Sequence, residues 1–135
     1  MRVLVDTSVW VDFFNGAPTG EAQALTALIE SRANLCTCGV VVAEVFQGLR
    51  RAAERDRLAK LFRDLTLLES VGLDPYFRAA DLYRQLRERG VTVRSTIDCL
   101  IAILAHDHDC FLLFRDRDLQ AIVTSGLVQA RAWQV

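Results

Sequence analysis

The chain has 135 residues, 52% of them hydrophobic, which suits one folded domain with a buried core and argues against disorder. Its formal net charge of −1 excludes a uniformly basic nucleic-acid binder, and no apolar run approaches the roughly 18–20 residues of a membrane span. Met1-Arg2 runs straight into a strand pattern without the sections of a signal peptide, so a cytoplasmic protein with no membrane attachment is expected.

In chain order, Val3-Leu4-Val5 reads as a short buried strand, and Asp6-Thr7-Ser8 turns into a brief helix with apolar contacts Trp10, Phe13 and Phe14. Asn15–Pro18 is a loop. Residues 21–31 are expected helical, with Leu25, Leu28 and Ile29 on one face, and Asn34–Cys36 suggests a second strand. Apolar positions 41, 42, 45, 46 and 49 have helical spacing. Glu44 lies off the centre of that stripe, so periodicity reads it as an ordinary solvated glutamate. A further helix covers 52–64, Leu65–Leu68 is a strand or a connection, and Asp74-Pro75 opens a helix that Gly90 closes. Ser95-x-x-Asp98 has the form of a capping box, followed by an almost wholly apolar and therefore buried helix. Phe111–Phe114 is expected as a strand, Asp118–Ser125 as a short helix and Leu127–Ala132 as a final strand. Strands alternating with helices imply an α/β fold with a mostly parallel sheet, whose ligand site lies beyond the carboxyl ends of the strands.

Five acids stand out against this frame. Asp6 ends the first apolar strand, Asp98 opens the most hydrophobic helix, and Asp116 and Asp118 follow the apolar run 111–114, while Glu44 sits inside an apolar helical pattern. Carboxylates beside buried segments are costly unless their charge is compensated, and a hard divalent cation with oxygen ligands is the simplest compensation. Singly, each has a plainer reading: Asp6 as a turn residue, Asp98 as the capping-box acid, Asp116 and Asp118 as an exposed turn. Cys36, Cys38, Cys99 and Cys110 are expected as reduced core thiols, and the Cys36-x-Cys38 and His106-x-His108 spacings are tighter than usual zinc motifs. Residues 47–94 hold 11 Lys/Arg against 7 Asp/Glu, and the remainder 5 against 10. That split would suit a phosphodiester substrate held near a metal, but on charge alone ordinary solvated helix faces are the favoured reading of these arginines.

Other acid-rich α/β folds do not fit. A haloacid-dehalogenase-type phosphatase needs an aspartate where Ser8 stands, and a phosphoreceiver domain needs a late strand-end lysine, whereas the only lysine is Lys60. No Gly-rich phosphate loop is present.

Four stretches in order resemble the PIN-domain ribonucleases, and more narrowly the VapC-type toxins of toxin–antitoxin pairs: Val3–Trp10, Val42–Leu49, Ser95–Ala102 and Leu112–Leu119. The resemblance covers essentially the whole chain and implies a single PIN domain over 1–135, a three-layer α/β/α sandwich with a central short-stranded sheet. Position by position, Asp6, Glu44, Asp98 and Asp116 match the acidic quartet, with Asp6, Asp98 and Asp116 as the implied metal contacts. Thr7, Ser8, Ser95 and Asp118 match supporting positions. Phe114 stands where many relatives carry threonine or histidine, and Leu119 where phenylalanine is commoner; neither removes a ligand. The resemblance implies a Mg²⁺-dependent endoribonuclease, with Mn²⁺ a substitute, acting on tRNA or rRNA. It further implies a VapB-type antitoxin partner and a homodimer. Alternative readings are a catalytically silent PIN-like binding module and a PIN-fold nuclease outside toxin–antitoxin systems.

Overall fold

Five parallel strands form the centre of the computed structural model, which describes residues 1–135. The elements run β1 (Arg2–Val5), α1 (Thr7–Phe14), α2 (Gly20–Glu30), β2 (Asn34–Cys38), α3 (Gly39–Gln47), α4 (Ala52–Arg63), β3 (Thr66–Leu68), α5 (Asp74–Glu88), α6 (Thr96–Asp107), β4 (Cys110–Leu113), α7 (Arg117–Ser125) and β5 (Arg131–Ala132). The sheet order is β3-β2-β1-β4-β5. Leu4 of the central strand aligns with Cys36 on one side and Leu112 on the other. Val3, Leu4 and Val5 are all buried, as a parallel strand covered on both faces requires, and this is why the run is continuously apolar rather than alternating.

The helices form two groups: α1 packs on α2 and α3, and α6 packs on α5 and α7. Right-handed crossovers account for the division. The path from β1 to β2 moves toward one edge of the sheet and that from β3 to β4 moves back toward the other, so their helices cover opposite faces. One cluster of 32 buried residues joins the layers. It includes α6 residues Cys99 and Ile101–Ala105, matching the apolar sequence there. All four cysteines are free and buried. No helix is long and apolar enough to cross a membrane.

Three local expectations change. Leu65–Leu68, ambiguous in sequence, supplies the edge strand β3, with Thr66, Leu67 and Leu68 aligned to Cys36, Thr37 and Cys38. The final strand is confined to Arg131 and Ala132. Gly126 ends α7 in the left-handed region at φ 72°, and Val128 and Ala130 then enter the core before the chain meets β4. The capping box at Ser95 is only half formed. Ser95 Oγ accepts from Ile97 N at 3.0 Å, but no return bond joins the Asp98 carboxylate to the Ser95 backbone. Asp98 is thereby left free to face outward from the first turn of α6.

Candidate metal centre and active site

β1 and β4 are neighbours at the middle of the sheet, and the chain leaves them toward opposite edges. This is a switch point of a parallel sheet, where a crevice opens beyond the carboxyl ends of the strands. Asp6 follows β1 and Asp116 lies three residues beyond β4. The Asp6 backbone N–H donates to Leu113 O at 2.9 Å, tying the two strand ends together.

Each acid is held by local structure. Asp6 caps α1: its Oδ2 accepts from Ser8 N at 3.1 Å and from Ser8 Oγ at 2.6 Å. Ser8 Oγ in turn accepts from Arg115 N at 3.1 Å, so one serine hydroxyl bridges the β1 and β4 ends. Asp116 caps α7 by accepting from Leu119 N at 2.9 Å. Glu44, half-buried on α3, accepts from Thr7 Oγ1 at 3.2 Å. The solvated reading from helical phase therefore does not describe Glu44, because the polar side of α3 faces the crevice rather than open water. Nor is Asp118 part of an exposed turn. It is 5% exposed, and its Oδ2 accepts from the Arg94 backbone N–H at 3.1 Å and from Arg94 Nε at 2.8 Å. Arg94 Nη2 also donates to Asp116 Oδ1 at 3.3 Å.

Asp6, Thr7, Ser8, Glu44, Ser95, Asp98, Asp116 and Asp118 all line one cleft of about 340 Å³. Two further lining residues, Arg94 and Ile97, carry no sequence signal beyond their place beside Ser95 and Asp98. One carboxylate oxygen each from Asp98, Asp116 and Asp118 lies within 4.8 Å of the other two. Asp6 and Glu44 stand outside that trio. Two oxygens on one Mg²⁺ are at most about 4.2 Å apart, so the spacing within the trio is close to the scale of one ion's coordination shell.

The electrostatics divide the acids. Burial pushes the Asp98 carboxyl up to about 7, and the negative charges of Asp116, Asp6, Asp118 and Glu44 add to the effect. Burial also raises Asp6, against the opposing hydrogen bonds from Ser8. The Arg94 guanidinium instead holds Asp118 below the usual carboxylate range. No arginine or lysine pairs with Asp6 or Asp98. The cleft thus gathers five carboxylates of which three, Asp6, Glu44 and Asp98, lack a counter-cation, and a divalent ion with oxygen ligands would offset the cost of their ionisation.

The arginine-rich stretch of residues 47–94 is largely engaged elsewhere. Arg78 pairs with Asp74 and Asp107, Arg84 with Asp81, and Arg51 with Glu54. Arg55 donates to the carbonyls of Leu49 and Arg50. Only Arg94 from that stretch lines the cleft.

A family model described as the PIN domain matches residues 3–124. The chain is 32% identical over 133 residues to a VapC ribonuclease of Mycobacterium bovis, covering 98% of this chain and 99% of that protein. The same figures hold for ribonuclease VapC11 of Mycobacterium tuberculosis. Among solved structures, VapBC-1 from nontypeable Haemophilus influenzae aligns with a TM-score of 0.70 at 17% identity, over 99% of this chain and 97% of that one. VapBC2 from Rickettsia felis, bound to a DNA fragment from its promoter, aligns with a TM-score of 0.68 at 18% identity, over 90% and 93%. These two likenesses establish the fold, and the near full-length sequence match carries the family: the chain belongs to the PIN domain family and, within it, to the VapC ribonucleases.

Proposed function

We propose that this chain, as a single PIN domain over 1–135, is a Mg²⁺-dependent endoribonuclease toxin that hydrolyses phosphodiester bonds in a structured RNA such as tRNA or rRNA. The observation that carries the reading is the convergence of acids from four separate elements, after β1, on α3, on α6 and at the head of α7, in one cleft at the sheet's switch point. Family membership supports the activity class.

In this reading Asp6, Asp98 and Asp116 would hold the ion, with Mn²⁺ a workable substitute; Asp118, although close to Asp98 and Asp116, is engaged by Arg94 and takes a supporting role. When bound there, such an ion would supply Lewis acidity toward the phosphoryl oxygens and lower the pKa of a water. Glu44, steadied by the Thr7 hydroxyl, would ligate the ion through water or orient the attacking water. Ser8 fixes the Asp6 carboxylate and Ser95 fixes the first turn of α6, which carries Asp98. Asp118 supports the site by holding Arg94 beside it. Water attack leaves a 5′-phosphate and a 3′-hydroxyl.

Partners follow from the same family reading. The solved structures that this fold resembles are VapBC complexes, which supports a VapB-type antitoxin for this protein; a homodimer of the toxin chain belongs to the same family reading. The test is cleavage of total tRNA and rRNA by the purified, antitoxin-free chain in Mg²⁺, with EDTA as control and end-group analysis of the products. Metal-dependent cleavage that leaves 5′-phosphates is expected. A 2′,3′-cyclic phosphate, or equal cleavage in EDTA, overturns the mechanism.

A further inference from the structure

Beside the acidic cleft lies a second hollow of about 510 Å³ that shares two of its wall residues, Arg94 and Asp116. Its character is opposite. Arg94, Arg115 and Arg117 line it, with Phe114 as its one apolar wall and Glu21 as the only other acid. Arg117 is exposed and forms no ion pair. Arg115 is 56% exposed, and its Nη1 lies 3.3 Å from Asp12, its one ion-pair partner. Arg94 is 68% exposed while its Nε and Nη2 reach Asp118 and Asp116. Three guanidinium groups therefore border the acidic cleft on one side, although the chain as a whole carries a net charge of −1.

Resting on the endoribonuclease reading, we infer that the Phe114–Arg117 turn is a phosphate-binding shelf for the RNA strand where it leaves the acidic cleft. The chemistry favours a polyanion with spaced phosphates, because Arg forks bind phosphate oxygens in pairs and hold a backbone in register without reading sequence. Asp116 links the two hollows: its carboxylate faces the acidic cleft, while the arginines on either side of it in sequence line the shelf. A strand anchored on Arg115 and Arg117 is thereby aligned with the residues that would act on its neighbouring phosphodiester. The arginines of α4 lie outside both hollows and have no such role.

The shelf is tested by the salt dependence of binding of a short fluorescein-labelled single-stranded RNA to the full chain in EDTA, where cleavage does not consume the probe. For a single strand, removing one arginine–phosphate pairing makes the slope of log K against log salt shallower by about 0.7. Arg117→Gln, which breaks no ion pair, is expected to change the slope by about 0.7, and Arg115→Gln with Arg117→Gln by about 1.4. Arg57→Gln with Lys60→Gln on α4 is expected to leave it unchanged. A slope unaltered by Arg117→Gln, an equal change from the α4 pair, or no RNA binding by the unaltered chain overturns the shelf. An oligoglutamate of equal charge that binds as tightly as the RNA overturns it in favour of an acidic peptide ligand. Metal-dependent cleavage by the unaltered chain is scored separately, so the shelf can fail while the endoribonuclease reading stands, and the reverse.

Discussion

The backbone N–H and the Nε of Arg94 both donate to one oxygen of Asp118, at 3.1 and 2.8 Å. This pair places a cation of the chain itself inside the cluster of carboxylates. It keeps Asp118 ionised and, through Nη2, partly neutralises Asp116. An ion held by Asp116, as proposed, would share that carboxylate with the guanidinium.

Replacing Arg94 with Gln therefore has two opposed consequences. The metal-free protein is expected to melt at a lower temperature, because the buried Asp118 is deprived of its counter-cation and becomes an unpaired charge. Mn²⁺ is expected to bind more tightly, because the competing cation is gone. Differential scanning fluorimetry in EDTA and isothermal titration with Mn²⁺ read the two effects. Weaker Mn²⁺ binding in the variant would show that Arg94 assists the ion rather than competing with it.

The raised Asp98 carboxyl fixes the direction of a pH effect. An acid whose folded pKa lies at about 7, against an ordinary 3.8, binds its proton more tightly in the folded state. The metal-free fold is therefore most stable with respect to this group below pH 3.8 and loses that stability as pH rises toward 7. Asp6 shifts in the same direction. Asp107 and Asp118 shift oppositely, but their windows lie below the ordinary carboxylate range. Melting temperature in EDTA is expected to fall between pH 5 and 8, and saturating Mg²⁺ to remove the fall. Asp98→Asn should raise metal-free stability at pH 8 by about 1–2 kcal/mol, after allowance for solvent screening, while abolishing cleavage.

Asp6→Asn keeps the size and the capping geometry but removes the charge. A loss of at least about 100-fold in Mg²⁺-dependent cleavage is expected with little change in fold, read by single-turnover kinetics and circular dichroism. Ser8→Ala removes the hydroxyl that donates to Asp6 and accepts from Arg115 N. Removing such a supporting group is expected to lower metal affinity or activity by about 10- to 100-fold. Full activity in both variants would move the ion away from the β1 end.

Trp10 ties stability to the site. It is wholly buried on α1, the helix that carries Thr7 and Ser8, and its ring packs on Phe62 at 4.6 Å between centroids. Trp10→Ala is expected to cost about 3–5 kcal/mol, a large share of a typical domain's stability, and chemical denaturation measures it. Activity at low temperature should fall as well, because α1 loses its anchor.

Several features were readable without the fold because their causes are local. The apolar run 3–5 and the alternation of strands and helices specify a parallel sheet. An acid immediately after β1 and another soon after β4 must lie near its carboxyl edge, so the location of Asp6 and Asp116, though not their role, is readable from position. Asp98 followed from its place at the head of a helix too apolar to be exposed. Glu44 could not be placed this way, since helical phase separates core from non-core positions but does not tell solvent from a polar cleft; the family resemblance pointed to it, and packing shows what it faces. Asp118 looked like an exposed turn because nothing in the sequence announces that Arg94, 24 positions away, will cover it. For the same reason the charge count over 47–94 does not single out Arg94, the one cation of that stretch that lines the cleft. Charges neighbouring in sequence on α4 and α5 spread along solvated faces, while Arg94, Arg115 and Arg117 meet only because loop 90–95 and the β4–α7 turn converge beyond the sheet. Local pattern determined the elements and the acids at their ends; long-range packing decided which charges share one cleft.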